Sequence, residues 1–565
     1  MNRLILAAVI AVLPLAGVAS PTIAQTPPTS APTGVTKPAE VWAEMRDGVR
    51  LAANVYLPAG SGPWPVVVTR TPYLKDGPFY ADPRSAAGVD GPQLYNDHGY
   101  VFIVQDVRGR GHSQGHYSPF SDDIADGYDT IEWAAAQSWS NGKIGITGAS
   151  AMGITANLAA IGAPPHLLAA FTVVSPLDRS ESSTYTGGVL RQADMERWLG
   201  FVGLDAGGTL ASPGFRPTSD VFSDRSEMSQ GLKYVRIPMY HVGGWYDAFD
   251  EGTLEKFVWL QNRGAEGARG QQKLLMTPSG HGPLAGDLAY PGADRTEVAG
   301  QQELRWFDHW LKGADNGVMD EPPVSYFMMA SARRGAASDK NRFVPSGDWP
   351  PAAHEVRYYP SPDGGLSLDA PTVRQSKISY RFDPAAPVAT VGGSTIWSDF
   401  GIGPMDQRKI PIRADYLRFK TEPLARDVSI AGPISVDLYA ATDGADTDFM
   451  AKLVDVYPDG YEALVLDAPI RAQYRQGRDP ALLKMMTPGV PERMRIDLWD
   501  TALTFEKGHR IELVITSSNS PRFAVNPNTG DPTAKPRVAV NTIYLDRDHP
   551  TALVLPLVYL EGASR

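Results

Sequence analysis

The chain has 565 residues, 43% of them hydrophobic and 20% charged, with a net charge of −11. That length exceeds one compact core and calls for two or three domains, and the balance excludes a disordered chain. The acidic balance, with no Lys/Arg-rich run, excludes a dedicated nucleic-acid binder, and the absence of cysteine excludes disulfides, thiolate metal sites, iron–sulfur clusters and cysteine nucleophiles.

Met1 to Gln25 opens with Arg3, continues with an apolar run from Leu4 to Leu15, and reaches small-residue cleavage sites at Gly17-Val18-Ala19 or Thr22-Ile23-Ala24. This is the pattern of a secretory signal peptide, assigned to residues 1–24. The apolar run is shorter than the ~20 residues of a membrane span, and no later stretch is longer. The mature protein is therefore expected to be exported, periplasmic or secreted, with no membrane span. Residues 25–38 are rich in Pro, Thr and Ala and read as a linker.

Alternating apolar residues from Val41 to Pro58 flank Asp47-Gly48, a hairpin signal. Buried-strand runs follow at 65–69 and 100–104, a helical spacing at 122–137, a short strand at 143–147 and a small-residue helix at 151–161. Further strands are expected at 238–242 and 273–276. Strands alternating with helices imply a mostly parallel sheet covered on both faces. Residues 176–232 break this rhythm and read as a helical insertion, a natural lid. Beyond about residue 350 short alternating strands dominate, as in ISVDLYAAT and RIELVITSS, which predicts a β-sandwich or jelly roll.

A strand, then Gly148-Ala149-Ser150-Ala151-Met152-Gly153, then a helix is the layout of a nucleophile elbow. The sharp turn lifts a serine hydroxyl out of the sheet, and the helix N-terminus behind it favours a developing oxyanion. The second glycine sits one place later than in G-x-S-x-G. A serine nucleophile needs a base, and histidine suits that role. His281, in Ser279-Gly280-His281-Gly282 directly after a strand, is favoured. His241 lies inside a strand and His309 on a Trp-rich helix, and both read as structural. The acid is sought at a strand end between Ser150 and His281, where Gly243-Gly244-Trp245-Tyr246-Asp247 follows the strand PMYHV and Asp250 is the local rival. Thr71-Pro72-Tyr73 ends another strand, so the Tyr73 hydroxyl is either a structural group or an oxyanion donor beside the Ala151 amide. Asp250 and Trp245 are carried as candidate substrate contacts.

Other patterns carry less. Gly109 to Gly115 follows a strand but lacks dinucleotide-loop spacing. His112 and His116 lie in a Gly-rich, non-helical setting, so no metal pair is assigned, and Asp443, Asp446 and Asp448 lack a calcium-loop pattern. Asp122, Asp123 and Asp126 read as a helix start.

Taken together, MRDGVRLAANVYLP, TPYLK, QDVRGRGHSQG, WSNGKIGITGAS, GGWYDAF, RWFDHWLKG, DFMAKLVDVYPDG and FEKGHRIELVITSSNSPRFAVNPNTG resemble the cocaine esterase and X-Pro dipeptidyl-peptidase family of α/β-hydrolases. That family also holds α-amino acid ester hydrolases and glutaryl cephalosporin acylases. The resemblance spans nearly the whole mature chain. It implies an α/β-hydrolase domain at 39–175 and 233–350, a helical cap at 176–232, and a C-terminal jelly-roll domain at 351–565. It implies Ser150 as nucleophile, Asp247 as acid, His281 as base, and Tyr73 with Ala151 as oxyanion hole, with no cofactor and no metal. Many family members carry Tyr after the nucleophile, where this chain has Ala151. The amino-ester hydrolases bind a substrate ammonium with carboxylates just after the triad acid, where Phe249 leaves only Asp250 and Glu251.

The expected activity is hydrolysis of a carboxylic ester or acyl group through an acyl-enzyme. The alternatives are an X-Pro dipeptidyl-peptidase or α-amino acid ester hydrolase, and a non-catalytic binding protein on the same fold. The expected partner is a small ester, amide or short peptide. The sequence leaves the oligomeric state open, homo-oligomers included.

Overall fold

The computed structural model describes residues 38–82, 85–86, 89–176, 183–211, 228–531 and 534–559. The expected signal peptide and all but the last residue of the linker lie outside the described residues. So do residues 177–182 and 212–227 of the insertion.

A ten-stranded sheet forms the first half. Its strands in chain order are β1 (Ala39–Glu44), β2 (Arg50–Tyr56), β3 (Trp64–Thr71), β4 (Val101–Asp106), β5 (Ser140–Ala149), β6 (Leu167–Val173), β7 (Met239–Tyr246), β8 (Lys273–Gly280), β9 (Val324–Met328) and β10 (Arg342–Ser346). Their order across the sheet is β1-β2-β4-β3-β5-β6-β7-β8-β9-β10. The hairpin β1–β2 is antiparallel around Asp47-Gly48, as its alternation predicts. Strands β4, β3, β5, β6, β7, β8 and β9 run parallel. Their apolar runs are continuous because both faces are covered: Val66, Val67, Val68, Val101, Phe102 and Ile103 are all fully buried.

Helices α1 (Asp123–Ala135), α2 (Ala151–Gly162), α5 (Asp250–Arg263) and α6 (Arg295–Lys312) supply that cover, with α3 (Gln192–Phe201) and α4 (Ala206–Ala211) in the insertion. The last covering helix shows how sequence sets such an element. Asp294 accepts from the backbone N–H groups of Thr296 and Glu297, and Gly313 closes the other end in the left-handed region. Between the caps, Ala299, Trp306, Phe307 and Leu311 form the buried stripe. Each such buried large apolar side chain contributes about 1.5–3 kcal/mol. The aspartates at the start of α1 do more than open a helix. Asp123 pairs with the buried Arg70 at 2.8 Å, and Asp126 with Arg108 at 2.6 Å.

From residue 354 the sheet changes. Strands β11 (His354–Pro360), β12 (Lys377–Phe382), β14 (Val428–Thr442), β17 (Glu492–Phe505), β19 (Ala539–Asp546) and β20 (Ala552–Leu557) build one antiparallel sheet. Strands β13 (Leu417–Lys420), β15 (Asp448–Val456), β16 (Glu462–Arg471) and β18 (Arg510–Thr516) build a second. Ile430, Leu438, Leu553, Leu453 and Leu513 of the two sheets share one core, which continues through Phe327 to Trp245 and Tyr246 of the first half. The insertion is not wholly helical. A short hairpin, Tyr185–Thr186 with Val189–Leu190, precedes α3. Its Gly187 accepts from the Arg471 N–H, and a Cβ there would stand 2.0 Å from the Pro469 carbonyl oxygen. No helix among the described residues is long and apolar enough to cross a membrane.

Candidate active site

The chain turns from β5 into α2 at Ser150, which adopts φ 56° and ψ −125°. A non-glycine residue is strained there, and surrounding bonds hold it. The Ser150 N–H donates to the Val173 carbonyl at 2.9 Å, and its own carbonyl accepts from the Ile154 N–H at 3.0 Å. The glycines are steric necessities. A Cβ at Gly148 would lie 2.4 Å from the Met152 backbone, and one at Gly153 would lie 2.7 Å from the Ser175 Cβ. The second glycine falls at 153 because that turn of α2 passes Ser175.

Two neighbouring strand ends deliver the partners. Asp247 follows β7 and His281 follows β8. His281 Nδ1–H donates to Asp247 Oδ2 at 2.8 Å. With its proton on Nδ1, the ring presents Nε2 to accept the Ser150 hydroxyl at 3.0 Å. Asp247 is fully buried, and its Oδ1 accepts from the Phe249 N–H at 2.7 Å. Burial alone would raise its carboxyl pKa, but the charge and hydrogen bond of His281, with Arg295 beyond, hold it below the usual value. Arg295 anchors the histidine loop by donating to the carbonyls of Gly280 at 2.6 Å and His281 at 3.2 Å. The Phe249 ring meets His281 edge-on at 5.3 Å. A serine, an imidazole and a buried carboxylate in this order can move a proton off the serine as its oxygen attacks a carbonyl.

Tyr73 stands just beyond the end of β3, the strand beside β5, and its hydroxyl faces Ser150. Burial pushes the phenol up to about 12. The Trp198 indole N–H donates to the Tyr73 hydroxyl oxygen at 2.9 Å. Ala151 opens α2, so its N–H is among the unpaired donors of a helix N-terminus.

These groups border a cavity of about 620 Å³. Its walls are largely apolar and aromatic, with Phe79 and Phe120 from the hydrolase half, Trp198 and Phe201 from the insertion, and Ile396 and Trp397 from the C-terminal half. Among the described residues, the charged groups lining it are Asp82 and Arg295. The two expected substrate contacts are corrected by the structure. Trp245 is fully buried in the core, its indole N–H donating to the Phe327 carbonyl at 2.7 Å. Asp250 is fully buried at the start of α5 and does not line the cavity, whereas the preceding Phe249 does. Arg295, Trp198, Ile396 and Trp397 escaped the sequence reading, because no local pattern marks residues that meet only through the fold.

Geometry also separates this serine from a second one. Ser331 Oγ lies 3.1 Å from His509 Nε2, and His509 Nδ1 lies 2.8 Å from Asp455. There, however, the N–H of the following residue, Ala332, already donates to the Tyr457 hydroxyl. No helix starts at Ser331, and the cavity lining does not include it. That arrangement ties β9's outgoing loop to the sandwich. His241 is structural as expected: it is fully buried, bonds Gln272 at 3.0 Å, and burial pulls its pKa down to about 3. Glu40, Asp76 and His112 gather within 4.8 Å at the surface. The Lys75 ammonium already lies 2.8 Å from Glu40 and 2.5 Å from Asp76, which fills the place a cation would take.

Comparison with known proteins agrees with this architecture. Residues 47–213 match the X-Pro dipeptidyl-peptidase (S15 family) model, and residues 316–554 match the X-Pro dipeptidyl-peptidase C-terminal non-catalytic domain. The latter match begins before the sheet change at 354, since β9 and β10 still pair with the hydrolase sheet. Cocaine esterase of Rhodococcus sp. (strain MB1 Bresler) is 28% identical over 92% of this chain and 98% of its own length. An aminopeptidase structure from the marine sediment archaeon Thaumarchaeota archaeon has a TM-score of 0.80 at 26% identity, covering 95% of this chain and 99% of that one. An α-amino acid ester hydrolase structure has a TM-score of 0.80 at 26% identity, covering 94% and 98%. The two family matches together span well over half of the chain, and with these relatives they place it: the chain belongs to the S15 family of serine hydrolases, α/β-hydrolases that include cocaine esterase and the X-Pro dipeptidyl-peptidases.

Proposed function

We propose that this chain is an exported carboxylic ester or acyl hydrolase working through a Ser150–His281–Asp247 triad. Ser150 Oγ attacks the substrate carbonyl while His281 Nε2 takes its proton. The Tyr73 hydroxyl and the Ala151 N–H hold the oxyanion. The tetrahedral intermediate collapses as His281 protonates the leaving group, and water then releases the acyl group by the same steps. The observation that carries this reading is the continuous chain of contacts, 3.0 Å and 2.8 Å, ending at a strained serine on the cavity wall. Export rests on the pattern of Met1 to Gln25. The C-terminal sandwich, read as a jelly roll, serves as a wall of the cavity through Ile396 and Trp397.

The substrate reading follows from charge. A dipeptidyl-peptidase or α-amino ester hydrolase must hold an ammonium close to the scissile carbonyl, which calls for a carboxylate in the cavity beside the serine. Here the carboxylate after the triad acid, Asp250, is fully buried and off the cavity lining, Phe249 lines the cavity instead, and the carboxylate among the described lining residues is Asp82. With the position after the triad acid apolar and the cavity wall largely aromatic, esters without an α-amino group fit better.

A fluorophosphonate probe and two substrates test this. Wild type should label, Ser150→Ala should not, and p-nitrophenyl acyl esters should be cleaved well ahead of an X-Pro-nitroanilide. Folded wild type that fails to label, or a preference for the nitroanilide, would overturn the proposal.

A further inference from the structure

Trp198 lines the cavity, and packing could be its whole contribution. Its hydrogen bond says more. An indole N–H only donates, so in the 2.9 Å contact the Tyr73 oxygen must be the acceptor. A phenol has a single proton. With one lone pair engaged by the indole, that proton is left to point elsewhere, and the side chain it faces is Ser150. We infer that Trp198 is a positioning residue: its N–H fixes the rotation of the Tyr73 hydroxyl so that the phenol proton is aimed at the oxyanion. This rests on the proposed role of Tyr73.

Three observations support it. First, the phenol stays protonated through the working pH range, since burial pushes it up to about 12, so it can serve only by donating. A hydrogen bond received by its oxygen also strengthens that donation through polarisation. Second, the indole is held on both sides. Its ring stacks on Phe120 at 5.7 Å with 15° between planes. One turn earlier on α3, the fully buried Asp194 accepts from Thr395 Oγ1 at 2.9 Å and the Ile396 N–H at 3.0 Å. The C-terminal half thus pins the helix that carries the indole. Third, among the described residues Tyr73 has little else to orient it. Its ring touches Phe79 at 5.3 Å and Phe201 at 5.4 Å, contacts that constrain the ring but not the torsion of its hydroxyl.

The test is a double-mutant cycle on p-nitrophenyl acetate with the full mature chain. Trp198→Phe keeps an aromatic ring against Phe120 and deletes the N–H. Replacing Trp198 by 3-benzothienylalanine keeps the full indole shape and likewise lacks the donor, which covers the event that the phenylalanine variant misfolds. Each should lower kcat about tenfold with KM within about twofold of wild type, because the bond matters mainly once charge develops. Tyr73→Phe should lower kcat about 100-fold, and adding either change at 198 should then cost less than about twofold more. Affinity for an aryl boronic acid, whose tetrahedral adduct mimics the oxyanion, should fall by the same factor as kcat. If the change at 198 costs as much without the Tyr73 hydroxyl as with it, or raises KM and leaves kcat alone, Trp198 is only a wall and the inference fails. Loss of the Ser150→Ala effect would instead overturn the catalytic proposal itself.

Discussion

Replacing Asp247 by Asn changes one atom and tests the whole chain of contacts. The buried carboxylate serves two donors, the His281 Nδ1–H at 2.8 Å and the Phe249 N–H at 2.7 Å. An asparagine has one carbonyl oxygen and one NH2. If its oxygen faces Phe249, the NH2 donates to His281 Nδ1, the ring proton moves to Nε2, and Ser150 loses its acceptor. If the oxygen faces His281, the NH2 opposes the Phe249 N–H, which strands a buried donor at about 1–3 kcal/mol. The first orientation is favoured, so the productive tautomer becomes a minor state by roughly 5- to 150-fold. The imidazolium formed during attack also loses its counter-charge in a buried setting, where charge-assisted bonds are roughly twice as strong as neutral ones. Together these predict a fall in kcat of about 10³- to 10⁴-fold, or roughly 4–5.5 kcal/mol of barrier. The assay is kcat and KM on p-nitrophenyl acetate at pH 8, with the rate of fluorophosphonate labelling in parallel and a thermal melt to verify folding. A folded variant losing less than about tenfold in both rates would refute the tautomer argument.

The remaining predictions concern stability. Asp500 accepts from the Trp349 indole N–H at 2.5 Å, and its carboxyl is raised from 3.8 to about 7 by burial. Between those values the folded form keeps a proton that the unfolded chain releases, so wild-type stability falls as pH rises through the window. Asp500→Asn should therefore gain on wild type by about 1–3 kcal/mol from pH 4 to pH 8, and melting curves at the two pH values showing a constant difference would contradict this. Lys256 is buried against Asn157 and Ser175, and burial pulls its ammonium down to about 7. Here the sign reverses: from about 7 to 10.5 the unfolded chain holds a proton that the folded form lacks, and stability rises with pH. Lys256→Met should compare more favourably with wild type at pH 6 than at pH 10, again read from melts. Gly148→Ala drives a Cβ to within 2.4 Å of the Met152 backbone and should cost more than about 3 kcal/mol. Gly200→Ala, in the last turn of α3 with nothing within 4 Å, should gain up to about 0.5 kcal/mol, and melting temperatures moving the same way in both variants would argue against the steric account.

Much of the fold is legible in the residues because it depends on neighbours in the chain. Continuous apolar runs mark the buried parallel strands, and Asp47-Gly48 marks the hairpin. The change from helical to alternating spacing near residue 350 falls just before the sheet change at 354. The insertion is read less well. Its hairpin at 185–190 is held by the sandwich, through the Arg471 N–H and the closeness of Pro469 to Gly187, and nothing in the local spacing signals that.

The site divides along the same line. Ser150, Asp247 and His281 can be named from the chain because each sits at a strand end, and strand ends are encoded by short apolar runs and the turn residues after them. Sequence likewise supplies a second serine, histidine and aspartate, at 331, 509 and 455, at similar spacings in space. Only the tertiary structure distinguishes the two, since the free helix N-terminus and the cavity meet at Ser150 alone of the pair. Trp198 reaching Tyr73 across 125 positions, Arg295 bracing the histidine loop, and Phe249 rather than Asp250 lining the cavity belong to the same category. Local backbone preference is written residue by residue, whereas the meeting of distant side chains is decided by how sheets and helices pack, which no single stretch of the chain contains.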